Sequence, residues 1–366
     1  MFETKEINSV DANSVFDKMA EQSHKNVVFC SDKATGLKAI IAIHDTTLGP
    51  AIGGTRMWHY RNEADALDDV LRLSRGMTYK SAITGLNFGG GKAVIIGDSN
   101  RDKSEALIRR FARFINNLNG EFITSQDVGT NARDMEYIRM ETPHVVGLSE
   151  STGGTGHTGP VSAYGVYMGM KASAKEQWGN DSLSGKSVAV QGIGNVGEYL
   201  VKYLRDEGSR VYISDLDEER LTYVARKHDA IIVPNNQIYD LDVDIYAPCA
   251  LGATVNSDTI KRLKCSIIAG SANNQLQDEE LHGQMLLEMG ILYAPDFLIN
   301  AGGLISVHSE ISGIGKKRTM QLAESIYGVT LDIFRKSKKE QITPYNAALK
   351  IADKRIADIR QLKANS

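Results

Sequence analysis

Val188-Ala-Val-Gln-Gly192-Ile193-Gly194-Asn195-Val196-Gly197 is an apolar strand running into a Gly-x-Gly-x-x-Gly turn. Gly192 suits a tight turn, Gly194 lets a backbone approach a pyrophosphate, and Gly197 allows a helix to pack close on the strand. The free amide groups of the helix that starts here would hold the anion. The glycine pattern alone is weak, since a structural turn has the same residues. Its context strengthens it, because Asp215 lies 23 residues beyond Gly192 at the end of the next apolar strand. A carboxylate there hydrogen-bonds ribose hydroxyls and repels a 2′-phosphate, so the expected cofactor is NAD rather than NADP. Asp217 is an alternative ribose partner, although its position also suits the cap of the following helix.

Outward from this turn, apolar strands are expected at Ser187–Val190, Arg210–Ser214, Ile231–Val233, Asp244–Ala247, Ser266–Ala269 and Ile291–Tyr293. Helix-length segments separate them, which implies a mostly parallel sheet covered on both faces. Thr343-Pro344 reads as a cap and first turn of a closing helix.

Upstream the pattern is less regular. Asn26–Ser31 and Leu37–His44 read as an antiparallel pair joined by a turn. A helix capped by Asn62 carries Ala64, Leu67, Leu71, Ser74 and Met77 at helical spacing and is expected to end near Thr78. A strand near Ala93–Ile96, a helix from about Lys103 to Asn117, a strand Glu121–Thr124 and a helix from about Asn131 to Met140 follow. Ser151–Gly159 reads as a loop or hinge. The fold class is therefore α/β with two domains, an N-terminal α/β substrate domain (1–148) and a Rossmann-type doubly wound NAD-binding domain (149–336). At 366 residues, two domains with a cleft between them are the natural expectation.

Composition narrows the function. With 42 basic and 45 acidic residues the formal charge is −3, which gives no basic field for nucleic acid. No apolar run reaches membrane-span length, and the polar stretch Met1–Ser14 lacks a signal-peptide core, so no membrane partner and a cytoplasmic location are expected. Cys30, Cys249 and Cys265 are too scattered for a disulfide framework and read as small apolar residues. No histidine pair has metal-ligand spacing, so no metal is expected.

The chemistry concentrates between Arg56 and Thr130. Gly89-Gly90-Gly91-Lys92 is not a P-loop, because Leu86 stands five before Gly91 and Ala93 follows Lys92. Lysine is ordinarily a solvated surface residue. Here Lys92 joins a glycine run, read as a flexible loop, to a strongly apolar strand, and Lys80 follows the buried-looking end of an amphipathic helix. Two ammonium groups brought together in a partly dry cleft favour each other's deprotonation, and one could fall towards neutrality from about 10.4. Such a lysine can act as a general base.

Several stretches are similar, in order and over nearly the whole chain, to the leucine dehydrogenases of the Glu/Leu/Phe/Val dehydrogenase superfamily. They are Leu48-Gly-Pro-Ala-Ile-Gly-Gly-Thr-Arg-Met57, Leu73-Ser-Arg-Gly-Met-Thr-Tyr-Lys80, Gly89-Gly-Gly-Lys92, Asp127-Val-Gly-Thr130, the Gly192–Gly197 turn, Tyr246-Ala-Pro-Cys-Ala-Leu-Gly252, Ala269-Gly-Ser-Ala-Asn-Asn274 and Ile299-Asn-Ala-Gly-Gly303. The resemblance implies reversible NAD-dependent oxidative deamination of an amino acid to a 2-oxo acid and ammonia. It also implies that Lys80 binds the substrate carboxylate beside Gly53 and Gly54, that Lys92 activates water, and that Asp127 moves protons at the amino nitrogen. Cys249, Ala250, Asn273 and Asn300 would hold the nicotinamide and its ribose. A homo-oligomer, octameric by resemblance, is expected, with the closing helices (about 337–366) returning to the first domain.

Related glutamate dehydrogenases carry a lysine where this chain has Ile52. An apolar residue leaves a second carboxylate unpaired, which disfavours glutamate. Met77, Leu304 and Val307, with Ser125 nearby, are the other pocket positions the resemblance suggests. Apolar lining suits leucine, isoleucine or valine, and a methylene of fit is worth only about 1–3 kcal/mol. Phenylalanine, valine or tryptophan dehydrogenase activity is the alternative on this scaffold. A non-catalytic NAD-binding regulator would not need Lys80, Lys92 and Asp127 together. The Gly153–Gly159 loop departs from the Asn-Pro-Ser-Pro pattern of the family, and its His157 is either solvated or close to the active site.

Overall fold

The computed structural model describes residues 14–364 except 155. Residues 1–13 and 365–366, on which part of the terminal readings falls, lie outside the described residues, as does position 155 of the glycine-rich loop. Contacts divide the chain into two compact units, one of residues up to Ser81 with Asn87–Leu148, the other of Ala82–Leu86 with residues from Ser149 onward.

The first unit contains α1 (Val15–Glu21), β1 (Asn26–Asp32), β2 (Leu37–Asp45), β3 (Ala51–Trp58), all but the last two residues of α2 (Glu63–Ile83), β4 (Gly89–Ile96), α3 (Glu105–Asn116), β5 (Phe122–Gln126) and α4 (Ala132–Arg139). Its sheet runs β1-β2-β4-β3-β5. The expected antiparallel hairpin is present, with Asn26 opposite Ile43 and Asp32 opposite Leu37. β3 pairs in parallel with both β4 and β5. Alternation along the strands sends Ala51, Met57, Ala93, Ile95 and Phe122 into a core with α3 and α4. The opposite face, with Ile40, Ala42 and Val94, packs on Ala66, Leu67, Val70 and Leu71 of α2.

Three readings of this unit are corrected. The β3 strand was not expected, because its Gly53-Gly54 pair masks the apolar alternation. Gly89–Gly91 are not a flexible loop but the buried first residues of β4, with Gly89 paired to β3, Gly91 to β2 and Gly90 to both. A Cβ on Gly90 would lie 2.1 Å from Thr78 Oγ1 and 2.4 Å from the Ser74 carbonyl oxygen, so the glycine run lets α2 sit directly on the strand. Finally, α2 is capped as expected, with Asp65 N donating to Asn62 Oδ1 at 2.8 Å, but it continues five residues past Thr78 to Ile83. Ala64 is exposed, and the inward face continues through Ser74, Thr78 and Ser81, small polar residues that the glycine strand accommodates.

The second unit contains α5 (Gly159–Trp178), β6 (Ser187–Gln191), α6 (Asn195–Asp206), β7 (Arg210–Ser214), α7 (Glu218–His228), β8 (Ile231–Ile232), β9 (Ile245–Pro248), β10 (Ile267–Ile268), α8 (Glu279–Glu288), β11 (Leu292–Tyr293), α9 (Asp296–Ile299), α10 (Gly302–Ser312), α11 (Lys316–Glu340) and α12 (Pro344–Ala364). The strand order is β11-β10-β9-β6-β7-β8, every pairing parallel. The order reverses direction at β6, the switch point beside which a doubly wound sheet binds its ligand. All six strands stand where their apolar runs placed them. Thr343 caps α12, accepting from Asn346 N at 3.2 Å, and Pro344 opens it.

The closing helices group with the second unit, not with the first. α12 touches the five-residue segment Ala82–Leu86, whose carbonyls at Ala82, Gly85 and Leu86 accept from the Arg355 guanidinium at 2.8–3.2 Å. Among the described residues no helix is long and apolar enough to cross a membrane. Cys30 and Cys265 are buried as expected and Cys249 is half-buried.

Candidate active site

In the first unit, strand register gathers the candidate residues on one face. Ile52 lies beside Gly90 and Ile123, and Gly54 lies beside Ser125. The constant offset between β3 and β4 then sets Gly54 next to Lys92. Alternation places Ile52, Gly54, Arg56, Gly90, Lys92 and Ser125 on the side of the sheet that α2 covers, while Gly53 points the other way.

Asp127 follows β5 directly. Thr130 holds its turn, accepting from Asp127 N at 3.0 Å while donating to the Thr55 carbonyl at 2.8 Å. A Cβ on Gly54 would stand 2.8 Å from Asp127 Cβ, so only glycine leaves room for this carboxylate to lie across the strand end. It reaches Lys92, whose Nζ is 3.0 Å from Asp127 Oδ2. The same oxygen accepts from Arg56 Nε at 2.9 Å. Arg56 is held in turn by Asp69 of α2 at 2.8 Å, which also accepts from Tyr60 and Arg72.

Lys92 is 6% exposed. Burial pushes its ammonium pKa down, Asp127 opposes that, and the Arg56 charge adds to the lowering, so the net direction is downward. For Asp127, burial pushes the carboxyl up, but Lys92 and Arg56 outweigh it and hold it below the usual range. The pair is thus an amine that gives up its proton readily beside a carboxylate that stays ionised. The like charge acting most on Lys92 is Arg56, where the sequence reading looked to Lys80. Arg56 had no assigned role because its partners, Asp127 and Asp69, are 71 and 13 residues distant. Lys80 lies in the last turn of α2, half-buried, as is Met77.

In the second unit, the glycine turn has the three geometries that a dinucleotide fingerprint needs. Gly192 has φ +94°, and a Cβ there would meet Ala250 at 2.6 Å. Gly194, with open space around its Cβ position, begins α6 without a side-chain cap. A Cβ on Gly197 would sit 2.1 Å from the Gly192 carbonyl. Ile193 is buried, while Asn195 and Val196 open the helix. Uncapped amides at this terminus form a ready anion site.

Asp215 Oδ2 accepts from Ile193 N at 2.7 Å and its Oδ1 from Asp217 N at 3.0 Å, which fixes the carboxylate beside the turn. Asp217 caps α7, accepting from Arg220 N at 3.0 Å. Cys249 and Ala250 follow β9, with Cys249 Sγ accepting from Ser271 N at 3.4 Å. Asn300 donates to Asn273 Oδ1 at 2.9 Å. Its own Oδ1 is buried without a hydrogen-bond partner among the described residues. Such an orphan acceptor suits a carboxamide N–H donor, so these residues fit a nicotinamide dinucleotide. Leu304 and Val307, buried and three residues apart, share a face of α10. His157 is exposed, accepts from Gly159 N at 3.1 Å and lies 6.0 Å from the Tyr199 ring.

A dinucleotide turn in one unit and a buried amine–carboxylate pair in the other define a dehydrogenase. Residues 24–144 match the profile of the Glu/Leu/Phe/Val dehydrogenase dimerisation domain, and 153–218 with 212–363 match that of the Glutamate/Leucine/Phenylalanine/Valine dehydrogenase domain. The leucine dehydrogenase of Bacillus cereus is 51% identical over 350 residues, covering 96% of this chain and 95% of its own length. The phenylalanine dehydrogenase of Thermoactinomyces intermedius is 46% identical over 353 residues, covering 95% and 96%. The crystal structure of L-tryptophan dehydrogenase from Nostoc punctiforme superposes with a TM-score of 0.83 at 45% identity, covering 95% of this chain and all of that one. The chain belongs to the Glu/Leu/Phe/Val dehydrogenase family and is an amino-acid dehydrogenase.

Proposed function

We propose that the protein catalyses the reversible, NAD-dependent oxidative deamination of a branched-chain aliphatic L-amino acid, leucine foremost, to its 2-oxo acid and ammonia. The observation that carries this reading is the Lys92–Asp127 pair on a sheet face whose neighbouring strand position is the fully buried, apolar Ile52. An ammonium at that position would pair with a side-chain carboxylate. Ile52 leaves such a carboxylate desolvated and unpaired, at a cost that disfavours glutamate.

Bound NAD supplies the hydride acceptor. Asp215 would hold the adenosine ribose, the Gly192–Gly197 turn the pyrophosphate, and Cys249, Ala250, Asn273 and Asn300 the nicotinamide end. Lys80 anchors the substrate carboxylate by charge, with Gly53 and Gly54 allowing close approach of backbone. Lys92, whose buried ammonium gives up its proton more readily than an exposed lysine, takes a proton from the water that attacks the substrate's Cα once it is oxidised. Asp127, kept ionised, accepts and returns the proton at the amino nitrogen. Ile52, Met77, Leu304 and Val307 provide apolar surface for the substrate side chain. On this reading residues 1–148 form the substrate and oligomerisation domain and 149–336 the NAD domain. The assembly is a cytoplasmic homo-oligomer, octameric on the family resemblance.

The test is NADH formation from leucine, isoleucine, valine, phenylalanine, tryptophan and glutamate, each also tried with NADP. Highest kcat/KM for a branched aliphatic substrate with NAD supports the proposal. Preference for phenylalanine or tryptophan would assign the aromatic alternative, and turnover of glutamate would remove the role of Ile52.

A further inference from the structure

Two histidines outside the described chemistry both grip α2. His24 is 8% exposed, and its Nε2 lies 3.1 Å from the Leu71 carbonyl and 2.9 Å from Ser74 Oγ. Since a carbonyl only accepts, Nε2 carries the hydrogen, and Nδ1 is left buried with no hydrogen-bond partner among the described residues. His44 stacks edge-on against it at 4.8 Å between ring centroids. His44 Nε2 donates to the Gln22 carbonyl at 2.9 Å, so a neutral His44 presents Nδ1 as an acceptor, 2.8 Å from Thr78 Oγ1.

His44 occupies a special place in its strand. The pairing of β2 with β4 slips there, with Ile43 opposite Gly91 and Asp45 opposite Gly90. The extra residue is a β-bulge, a device that re-aims a side chain. It directs the imidazole to Thr78, itself 1% exposed and packed on Gly90. Two residues beyond Thr78 along α2 is Lys80, and two residues beyond Gly90 along β4 is Lys92. The Thr78–Gly90 contact therefore sets how the last turn of α2 lies along the strand that carries the base.

We propose that His44, through its hydrogen bond to Thr78 and backed by the His24 ring, is a positioning residue that sets the placement of Lys80 relative to Lys92. The inference rests on the reading of Lys80 as the substrate-carboxylate anchor. His44 touches no reacting atom. Its effect is on the depth and rotation of the final turn of α2, and hence on recognition of the carboxylate.

The experiment compares native enzyme with His44→Ala, Thr78→Val, Thr78→Ser and Lys80→Ala, using leucine and leucinamide as substrates with NAD. Thr78→Val keeps the shape and removes the hydroxyl, so it answers the question even where His44→Ala fails to fold. The expected result is a rise in KM for leucine of about tenfold in Thr78→Val and His44→Ala, the scale of one lost hydrogen bond. The preference for leucine over leucinamide should fall in parallel, with KM for NAD unchanged and Thr78→Ser close to native. The inference is overturned by unchanged leucine preference in both variants, by Thr78→Ser failing as badly as Thr78→Val, or by losses in every parameter that track loss of folded protein. Lys80→Ala separates the two claims. Unaltered leucine preference in that variant refutes the anchor role itself, and the inference with it, whereas lost preference there but not in Thr78→Val refutes the inference alone.

Discussion

Gly54→Ala tests the geometry of the proposed proton-transferring pair without replacing either member. The added methyl would stand 2.6 Å from the Gln126 carbonyl oxygen and 2.8 Å from Asp127 Cβ. Restoring an ordinary carbon–carbon contact needs a displacement of about 0.6 Å at Asp127. The carboxylate begins 3.0 Å from Lys92 Nζ and 2.9 Å from Arg56 Nε, so a shift of that size takes one or both to the edge of hydrogen-bonding range. Misplacement of a catalytic group by about 1 Å costs on the order of 10²-fold in rate, and a large part of that loss is expected in kcat. Overpacking should also cost about 1–3 kcal/mol of stability. Gly76→Ala is the control, since its Cβ position in α2 meets nothing within 4 Å. Helix propensity makes that change neutral or stabilising, by up to about 1 kcal/mol. Steady-state rates with leucine and NAD, with thermal unfolding of both variants, provide the readout. A Gly54→Ala enzyme with native kcat, or one no less active than Gly76→Ala, would refute the argument that this glycine makes room for Asp127.

Asp215→Ala should raise KM for NAD and narrow the preference for NAD over NADP, and unchanged cofactor selectivity would remove the ribose role. Burial lowers the pKa of His24 from 6.5 to about 4, with His44 adding to the effect. The unfolded chain therefore binds the proton more readily than the folded one between these values. The stabilisation is complete above pH 6.5 and disappears as pH falls towards 4, amounting to about 2 kcal/mol after allowance for solvent screening. Thermal unfolding across that window should show the decline, and His24→Gln should flatten it. Equal slopes in the two proteins would refute the linkage.

The second unit was legible because each of its strands is a short apolar run between helix-length segments, and the glycine turn sits where strand becomes helix. In the first unit glycine misled. Gly53-Gly54 and Gly89–Gly91 look like loop sequence, yet they are strand residues stripped of side chains so that Asp127, Phe122 and α2 can pack against them. α5 escaped notice for a different reason. It is buried at Ala163, Val166, Gly169, Met170, Ala172 and Ala174, around most of its circumference, so no amphipathic stripe marks it. Lys92 stands out in the sequence because a lysine entering an apolar strand is unusual, whereas Asp127 is singled out by the family resemblance. The ion network of Arg56 and Asp69 was not legible, because pairing across strands and onto a helix leaves no local spacing to read. The end of α2 is read near Thr78, yet the helix continues to Ile83, with Thr78 and Ser81 buried and Thr78 packed on a strand with no side chain at Gly90.

In the proposed mechanism the buried Lys92 amine performs the chemistry while a separate unit holds the cofactor. Lys92→Ala, assayed for leucine-dependent NADH formation and, independently, for NAD binding by titration calorimetry, tests it most directly. The expected result is a loss of at least about 10²–10⁴-fold in kcat with NAD affinity retained. A variant that turns over leucine at close to the native rate would contradict it.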